Sequence, residues 1–342
     1  MTGGRVIFVG AVHEAVPALG ALLDSEAEIV EVVTLPAERA ASTSGFTDLE
    51  PLARAHGVAV RRCADINSPE SMRYVRQLRP DLMVVTGWTR LLSAELLGVP
   101  PRGVVGFHAS LLPRYRGRAP VNWAILRGER VTGNTMMYLD AGTDTGDIVD
   151  QQRVPIASDD TCATVYARVG EAGADMLRRQ LPALLDGTAP RRPQGAGDGP
   201  PLPKRTPAMG ITDWNRPARA IHDWIRALTR PYPGAFGFIG GRKVMLWSTA
   251  PDVTAHSAPD GTQTRRPAGE VLGWDTDGVR VAAADGVIVL TSLSDPGDAP
   301  GDALAWASRN GMRPGDRFEP VDPDTAAWAL GLGPKPAEDQ VR

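Results

Sequence analysis

The side chains best suited to catalysis lie in two short segments of the sequence, GFHASLLPRYRG (106–117) and DAGTDTGDIVD (140–150). The first contains His108, one of five histidines in the chain, and the second contains four aspartates. Because imidazole titrates near neutral pH, a histidine beside an aspartate can transfer protons or hold positive charge at pH 7. The pattern predicts an acid–base site. The alternative is that His108 is a hydrogen-bonded core histidine and the aspartates only form turns.

No other motif supplies a nucleophile or a metal site. Ser110 is not part of a G-x-S-x-G turn, and the sequence has no H-E-x-x-H, paired C-x-x-C, Walker or G-x-G-x-x-G motif. The two cysteines, Cys63 and Cys162, lie far apart and lack the spacing of metal ligands. These features favour transfer of a group between two bound substrates, with no covalent enzyme intermediate and no metal.

The elements that must position these residues are short β-rich runs, which alternate with helical stretches over the first 155 residues. A helix is predicted at 68–78, where Ser68 suits the N-cap and Pro69 the first helical position. This alternation predicts an α/β fold with a mostly parallel, Rossmann-like sheet and helices on both faces. His108 then ends a strand at the edge where such sheets bind ligands. Strands are predicted at 5–9, 29–35, 57–62, 81–87, 103–108, 134–140 and 147–154, and a long helix capped by Ser158 or Asp159 at 158–187.

The domain organisation is predicted from changes in composition. The Pro- and Gly-rich stretch 189–207 indicates a linker, in which Arg191, Arg192, Lys204 and Arg205 are interpreted as solvated charges. Short strands broken by glycine turns follow a helix at 215–234 and predict a small β-barrel. We therefore expect a catalytic domain at 1–188, the linker at 189–207, an OB-like barrel at 208–320 and a frayed tail at 321–342.

The overall composition is that of an ordinary globular protein, with 42% hydrophobic residues and a net charge of −3. This charge gives no general attraction to nucleic acid or to an anionic membrane. No segment approaches the roughly 18 apolar residues of a membrane span, and the N-terminus lacks the pattern of a signal peptide. We expect a cytoplasmic protein without disulfides.

Two segments, HASLLPRYRGRAPVNWAI (108–125) and TGNTMMYLDAGTDTGDIV (132–149), resemble the folate-dependent formyltransferases, of the methionyl-tRNA formyltransferase and sugar N-formyltransferase type. Three segments of the second half, PKRTP (203–207), ITDW (211–214) and RALTRPYPGAF (226–236), resemble the C-terminal barrel of that type. The resemblance covers roughly residues 5–318. It implies 10-formyltetrahydrofolate as the formyl donor and direct attack of an acceptor amine on the formyl carbon.

The resemblance also implies roles for individual residues. His108 would be the catalytic histidine that stabilises the tetrahedral oxyanion, and Asp144 its partner. Leu112–Pro113 would be a cis peptide bond. The folate pterin would be bound by Trp88, Arg90, Leu91, Asp140, Gly142 and Thr143. The remaining substrate contacts would come from Ser110, Leu111, Pro113, Arg116 and Gly117.

At Gly106 the sequence departs from this pattern, because the related enzymes usually carry an Asn that donates to the oxyanion. Loss of one such donor costs about 10²–10³ in rate. Another donor could replace it, the enzyme could be slow, or the protein could be a non-catalytic relative. A glycine also leaves room for a water or for a larger acceptor.

The acceptor is predicted from the charge of the segment 35–57, which matches the tRNA-binding loop of methionyl-tRNA formyltransferase. Arg39 and Arg54 are outnumbered there by Glu38, Asp48 and Glu50. Phosphate contacts need Lys and Arg, so this count predicts weak tRNA binding. It favours a small-molecule amine, such as a nucleotide-linked amino sugar. Methionyl-tRNA, and a non-catalytic folate- or sugar-nucleotide-binding protein, remain the alternatives, and the oligomeric state stays open.

Overall fold

The first sheet has seven strands in the order β3-β2-β1-β4-β5-β6-β7. Strands β1 to β5 pair in parallel, whereas β6 and β7 pair antiparallel at one edge. The prediction of a mostly parallel sheet is therefore confirmed. The strands are β1 (Arg5–Gly10), β2 (Glu28–Thr34), β3 (Val60–Arg62), β4 (Leu82–Thr86), β5 (Val104–His108), β6 (Val131–Tyr138) and β7 (Ile148–Pro155).

Helices cover both faces of this sheet, because its central strands are apolar on both sides. One face carries Phe8, Val105 and Met136 and packs against the first and sixth helices. The other face carries Ile7, Met83 and Val104 and packs against the third and fourth helices. The helices are α1 (Ala15–Leu23), α2 (Glu50–Ala55), α3 (Pro69–Leu78), α4 (Ala94–Leu97), α5 (Pro120–Leu126) and α6 (Cys162–Asp186).

The computed structural model describes residues 4–88, 90–197, 199–250, 254–255 (backbone) and 266–337. Within it the chain divides into two units. The first comprises the chain up to Val121 together with Val131–Pro155 and Thr164–Leu202. The second comprises Asn122–Arg130, Ile156–Ala163 and the chain from Pro203 onward. No helix in the described residues is long and apolar enough to cross a membrane.

The second unit is built on an antiparallel sheet, in which β11-β12-β13-β9-β8 follow one another and β10 and β14 pair with β13. This agrees with the prediction of a small barrel-like domain. Its strands are β8 (Ala235–Ile239), β9 (Arg242–Thr249), β10 (Thr254–Ala255), β11 (Val271–Asp275), β12 (Gly278–Ala282), β13 (Gly286–Ser294) and β14 (Gly301–Asp302), and its helices are α7 (Ala218–Leu228), α8 (Ala303–Arg309) and α9 (Pro323–Ala329).

The structure corrects three local predictions. The long helix α6 begins at Cys162, because Ser158 and Asp159 precede it in a turn in which the Asp160 carboxylate accepts the Ala157 N–H. The tail is not frayed throughout, since Asp322 caps α9 and Trp328 is buried. The stretch 189–202 is not a free linker but pairs with the first unit, as described below. The end of the predicted tail, 338–342, lies outside the described residues.

Candidate active site

The candidate site forms at the carboxyl end of β5. His108 is the last residue of this strand and pairs with Thr135 of β6, while Gly106 pairs with Met137. Because side chains alternate along a strand, His108 and position 106 face the same side of the sheet. The structure thus brings the two residues of the G-x-H pattern to one face.

Both ring nitrogens of His108 face an oxygen atom of the protein. Its Nε2 lies 2.8 Å from the carbonyl oxygen of Tyr115, and since a carbonyl only accepts, Nε2 carries the proton. Its Nδ1 lies 3.5 Å from Oδ2 of Asp144. That distance is longer than a hydrogen bond but close enough for the carboxylate to stabilise an imidazolium. The ring is only 8% exposed, so few directions of approach are open to it.

Asp144 is fixed by the turn around it. Its φ of 55° is in the left-handed region, which is uncommon for residues other than glycine. The Gly117 N–H donates to its Oδ2 at 2.8 Å, and Arg116 Nε donates to its carbonyl oxygen at 3.0 Å. Arg116 and Gly117, predicted to contact substrate, therefore orient the carboxylate that faces His108.

The segment between His108 and Arg116 is a buried turn. The Ser110 hydroxyl is 1% exposed and donates to the Arg114 carbonyl, so it faces the protein rather than open space. The Thr135 hydroxyl donates to the Ser110 carbonyl and accepts the Leu112 N–H. The Leu112–Pro113 bond is cis, as predicted, and Leu111 packs where a Cβ atom on Gly133 would lie.

The loop after β4, predicted to bind the pterin, presents both apolar and polar groups. The Leu91 side chain is 64% exposed and Arg90 is exposed. Trp88 packs against the α3–α4 face of the sheet, and its buried Nε1–H has no partner in the described residues. Asn67, which the sequence did not single out, donates to the Leu91 carbonyl and accepts the Ser93 N–H. In the sequence, only the position of Asn67 directly before Ser68, the N-cap of α3, hints that its side chain could hold this loop.

The turn after β6 is held by hydrogen bonds to the side chain of Asp140. Asp140 accepts from the Gly142 N–H at 3.0 Å and from the Thr145 hydroxyl at 2.8 Å. A Cβ atom on Gly142 would lie 2.0 Å from Thr145 Oγ1, so the turn requires glycine there. Thr143 lies between Gly142 and Asp144 and is half-buried. Asp140, Gly142 and Thr143 therefore belong to one hydrogen-bonded turn, which continues directly into Asp144.

The space above Gly106 is filled. A Cβ atom on this glycine would lie 2.6 Å from Cδ2 and 3.0 Å from Cγ of Leu139. Leu139 also packs against Leu112, Met137 and Ile148. The expectation that the glycine leaves room for a water or a larger acceptor is wrong for this structure, because an apolar side chain occupies that position.

Residues 190–202, which we call the strap, run along the first unit; position 198 lies outside the described residues. Arg192 exchanges two backbone hydrogen bonds with Ile148, and Leu202 accepts from Arg118 and donates to Arg116. Gln194 lies between these anchors and contacts the Asp144 turn. Arg191 is exposed, as the interpretation of a solvated charge requires, but its guanidinium carbon also lies 3.4 Å from the centroid of the Tyr138 ring.

Two of the carboxylates on which the prediction of weak tRNA binding depends, Asp48 and Glu50, form ion pairs with arginines. Arg62 donates to Asp48 at 2.8 Å and to Glu50 at 2.6 Å, and Arg54 also donates to Glu50. Hydrogen bonds from Arg54 and then Arg62 lower the pKa of the Glu50 carboxyl. Arg39 is exposed and forms no ion pair within the described residues. Arg62 lies outside the segment whose charges were counted, so that count overstated the negative charge.

No group of three or more His, Cys, Asp or Glu side chains in the described residues could hold a metal ion. What the site offers is an imidazole with a protonated Nε2 and a carboxylate beside its Nδ1. Such a group can hold positive charge opposite a developing oxyanion.

Comparisons with known proteins match both halves of the chain. A family model described as formyl transferase matches residues 5–181, and one described as formyl transferase, C-terminal domain, matches residues 204–311. The methionyl-tRNA formyltransferase of Trichlorobacter lovleyi is 34% identical over 94% of this chain and 98% of its own length. That of Citrifermentans bemidjiense is 36% identical over 86% of this chain and 89% of its own length.

Solved structures share the fold at lower identity. HypX from Aquifex aeolicus in complex with tetrahydrofolic acid aligns with a TM-score of 0.64 at 18% identity, over 94% of this chain and 49% of that one. A sugar N-formyltransferase from Shewanella aligns with a TM-score of 0.58 at 19% identity, over 73% of this chain and 99% of that one. At these identities the likeness extends to the fold alone.

Proposed function

Because this chain belongs to the formyl transferase family, we propose that it transfers a formyl group from 10-formyltetrahydrofolate to the amino group of methionyl-tRNA. The observation that carries the acceptor is the 34% identity to a methionyl-tRNA formyltransferase over nearly the full length of both chains. The match includes the C-terminal domain as well as the catalytic one. The sugar N-formyltransferases align at below 25% identity and so do not support their acceptor here.

This acceptor differs from the small-molecule amine that the charge count favoured. That count predicted weak tRNA binding because the three carboxylates of the segment 35–57 outnumber its two arginines. Arg54 and Arg62 together pair with two of these carboxylates, so that exposed Arg39 can meet a phosphate with only Glu38 as an unpaired acidic neighbour in the described segment. With Arg62 included, three arginines face the three carboxylates, and the electrostatic argument against tRNA is weaker than the count suggested.

The residues predicted to bind the pterin fit the formyl donor. The buried Trp88 N–H, which has no partner among the described residues, and the exposed Leu91 side chain suit a ligand that is both aromatic and polar. Trp88, Arg90, Leu91 and the turn formed by Asp140, Gly142 and Thr143 would hold the pterin. When bound, the donor supplies an electrophilic formyl carbon.

In the proposed reaction the uncharged amino group of the acceptor attacks that carbon, and a C–N bond forms as the carbonyl oxygen becomes an oxyanion. The Nε2–H of His108 would exchange the Tyr115 carbonyl for the oxyanion, while Asp144 stabilises the imidazolium from the Nδ1 side. The bond to the folate nitrogen then breaks, that nitrogen takes a proton, and the amine loses one. Asp144 and water carry the proton between them.

The test is a folate-release assay with methionyl-tRNA, uncharged tRNA, nucleotide-linked amino sugars and free methionine as acceptors. We expect turnover with charged initiator tRNA at least about 10²-fold faster, as kcat/KM, than with any small amine, and a steep fall with salt. Faster turnover with an amino sugar would overturn the acceptor. Folate binding without turnover on any acceptor would indicate a non-catalytic relative.

A further inference from the structure

Gln194 connects the strap to the catalytic turn. Its amide Nε2 donates to the carbonyl oxygens of Asp144 and Gly146, at 3.0 and 2.7 Å. Its Oε1 accepts from Nε and Nη2 of Arg116, at 3.2 and 2.7 Å. One side chain therefore satisfies two carbonyls of the turn and also binds the arginine that holds Asp144.

These contacts fall where the turn needs support. Asp144 adopts a left-handed φ, and backbone in this region persists only when its surroundings fix it. Arg116 Nε also donates to the Asp144 carbonyl, so that oxygen accepts hydrogen bonds from both Arg116 and Gln194. These two side chains are also hydrogen-bonded to each other. The three residues form a closed hydrogen-bonded network around the Asp144 backbone.

The strap that carries Gln194 is anchored on both sides of it. Upstream, Arg192 pairs with Ile148 of β7, and downstream Leu202 pairs with the backbone beside Gly117. Gly117 is the residue whose N–H holds the Asp144 carboxylate. The same strap therefore fixes the carbonyl side of Asp144 through Gln194 and the carboxylate side through Gly117.

We propose that Gln194 is a positioning residue for formyl transfer, which acts by holding Asp144 in the conformation that faces His108. This rests on the catalytic roles proposed for His108 and Asp144. Gln194 binds neither substrate in this scheme. A displacement of about 1 Å in a catalytic group can cost about 10² in rate, so its loss should lower kcat by about that factor and leave KM for donor and acceptor nearly unchanged.

The first experiment compares Gln194→Leu and Gln194→Glu with Gln77→Leu. Gln77 is exposed near the end of α3, so its variant is the matched control and should keep full activity. The glutamate introduced by Gln194→Glu would still pair with Arg116 but would face the two carbonyls with oxygen instead of N–H. We expect both Gln194 variants to lose kcat. Full activity in Gln194→Glu would overturn the proposal, as would a change confined to KM.

The second experiment is a double-mutant cycle with Asp144→Asn. If Gln194 acts through Asp144, Gln194→Leu should change the residual single-turnover rate of Asp144→Asn by no more than about twofold. An undiminished loss in that background would overturn the proposal. Wild-type activity in Asp144→Asn itself would instead contradict the proposed catalytic pair, so the two failures are distinguishable.

A spectroscopic measurement makes the test independent of activity. The Cε1–H resonance of His108 can be assigned among five histidines by its loss in His108→Gln. We expect Gln194→Leu to shift this resonance in the folded protein, because the Asp144 carboxylate moves relative to the ring, whereas Gln77→Leu leaves it in place. An unshifted resonance in a folded Gln194→Leu variant would overturn the proposal.

Discussion

His108 Nδ1 and Asp144 Oδ2 lie 3.5 Å apart, and the same carboxylate oxygen accepts the Gly117 N–H. We predict that His108→Ala and Asp144→Ala each lower kcat by about 10²–10⁴ while the fold is kept, because each removes one half of a single charge-stabilising unit. The double variant should be little worse than either single one. Folate release gives the rates and circular dichroism the fold; turnover within a few-fold of wild type in either single variant would refute the assignment.

Local sequence patterns predicted most of the fold and, within the site, the position of His108. The seven strands of the first sheet follow from short apolar runs, and the start of α3 from Ser68, whose hydroxyl accepts the Ser71 N–H. These signals lie within a few residues of the element they specify. The placement of His108 at a strand end follows from the same reasoning, since a parallel sheet fixes where its strands end.

The partners that hold the site could not be predicted in this way. Gln194 reaches Asp144 from 50 residues away, out of a Pro- and Gly-rich stretch with no periodicity. Arg62 pairs with Asp48 and Glu50 because β3 lies beside β2, a relation that charge counting along one segment ignores. Leu139, which directly follows β6, covers Gly106 of β5. Each contact depends on the tertiary arrangement rather than on local residue types.

Arg39 should contribute to tRNA binding through a phosphate contact. We predict that Arg39→Gln weakens binding of initiator tRNA and reduces the slope of log K against log salt by about 0.7–0.9, the value for one lost phosphate contact. Arg178→Gln is the matched control, since Arg178 is exposed on α6, outside the segment 35–57. Fluorescence titrations at several salt concentrations measure both slopes, and equal slopes in the two variants would contradict the assignment.

Arg205 should stabilise the second unit rather than bind substrate. Its guanidinium lies 4.7 and 5.1 Å from the ring centroids of Trp123 and Trp224, and it donates to the carbonyls of Ala329 and Met209. Burial lowers the pKa of Arg205 to about 10. We predict that Arg205→Met costs about 2 kcal/mol, because two carbonyls lose their donor, whereas Lys204→Met, at an exposed position, costs little. Denaturant unfolding compares the two; equal stabilities would argue against this role.

His222 should make stability depend on pH. Its Nε2 donates to the Ser158 carbonyl at 2.9 Å and its Nδ1 accepts from the Thr249 hydroxyl at 2.7 Å, so the folded protein holds it neutral. Burial lowers its pKa below the ordinary value of 6.5. The unfolded chain therefore binds a proton first, and stability should fall as the pH drops below about 6.5. The free energy of unfolding, measured between pH 7.5 and 5.5, should therefore lose the part of its pH dependence that comes from His222 in the variant His222→Gln. An unchanged pH dependence in that variant would contradict the prediction.

The contact between Gly106 and Leu139 determines what an asparagine would do at this position. A Cβ atom would lie 2.6 Å from Leu139 Cδ2, so Gly106→Asn must displace a side chain that packs against Leu112 and Met137. We predict that Gly106→Asn alone lowers both the melting temperature and kcat on the natural acceptor, by displacing Leu139 rather than by filling a place used by substrate or water.

Leu139→Ala removes the side chain with which an asparagine would clash. The steric effect of Gly106→Asn can then be measured apart from its effect on catalysis. In that background the asparagine can fit, and if the site lacks only a donor to the oxyanion, Gly106→Asn should raise kcat above that of Leu139→Ala, by up to about 10²–10³. The melting temperature of the double variant should be no lower than that of Leu139→Ala. Steady-state kinetics on all three variants decide the matter. A rise in kcat from Gly106→Asn alone would show that Leu139 yields without cost, and a fall in the double variant would show that the position must stay free of a polar side chain.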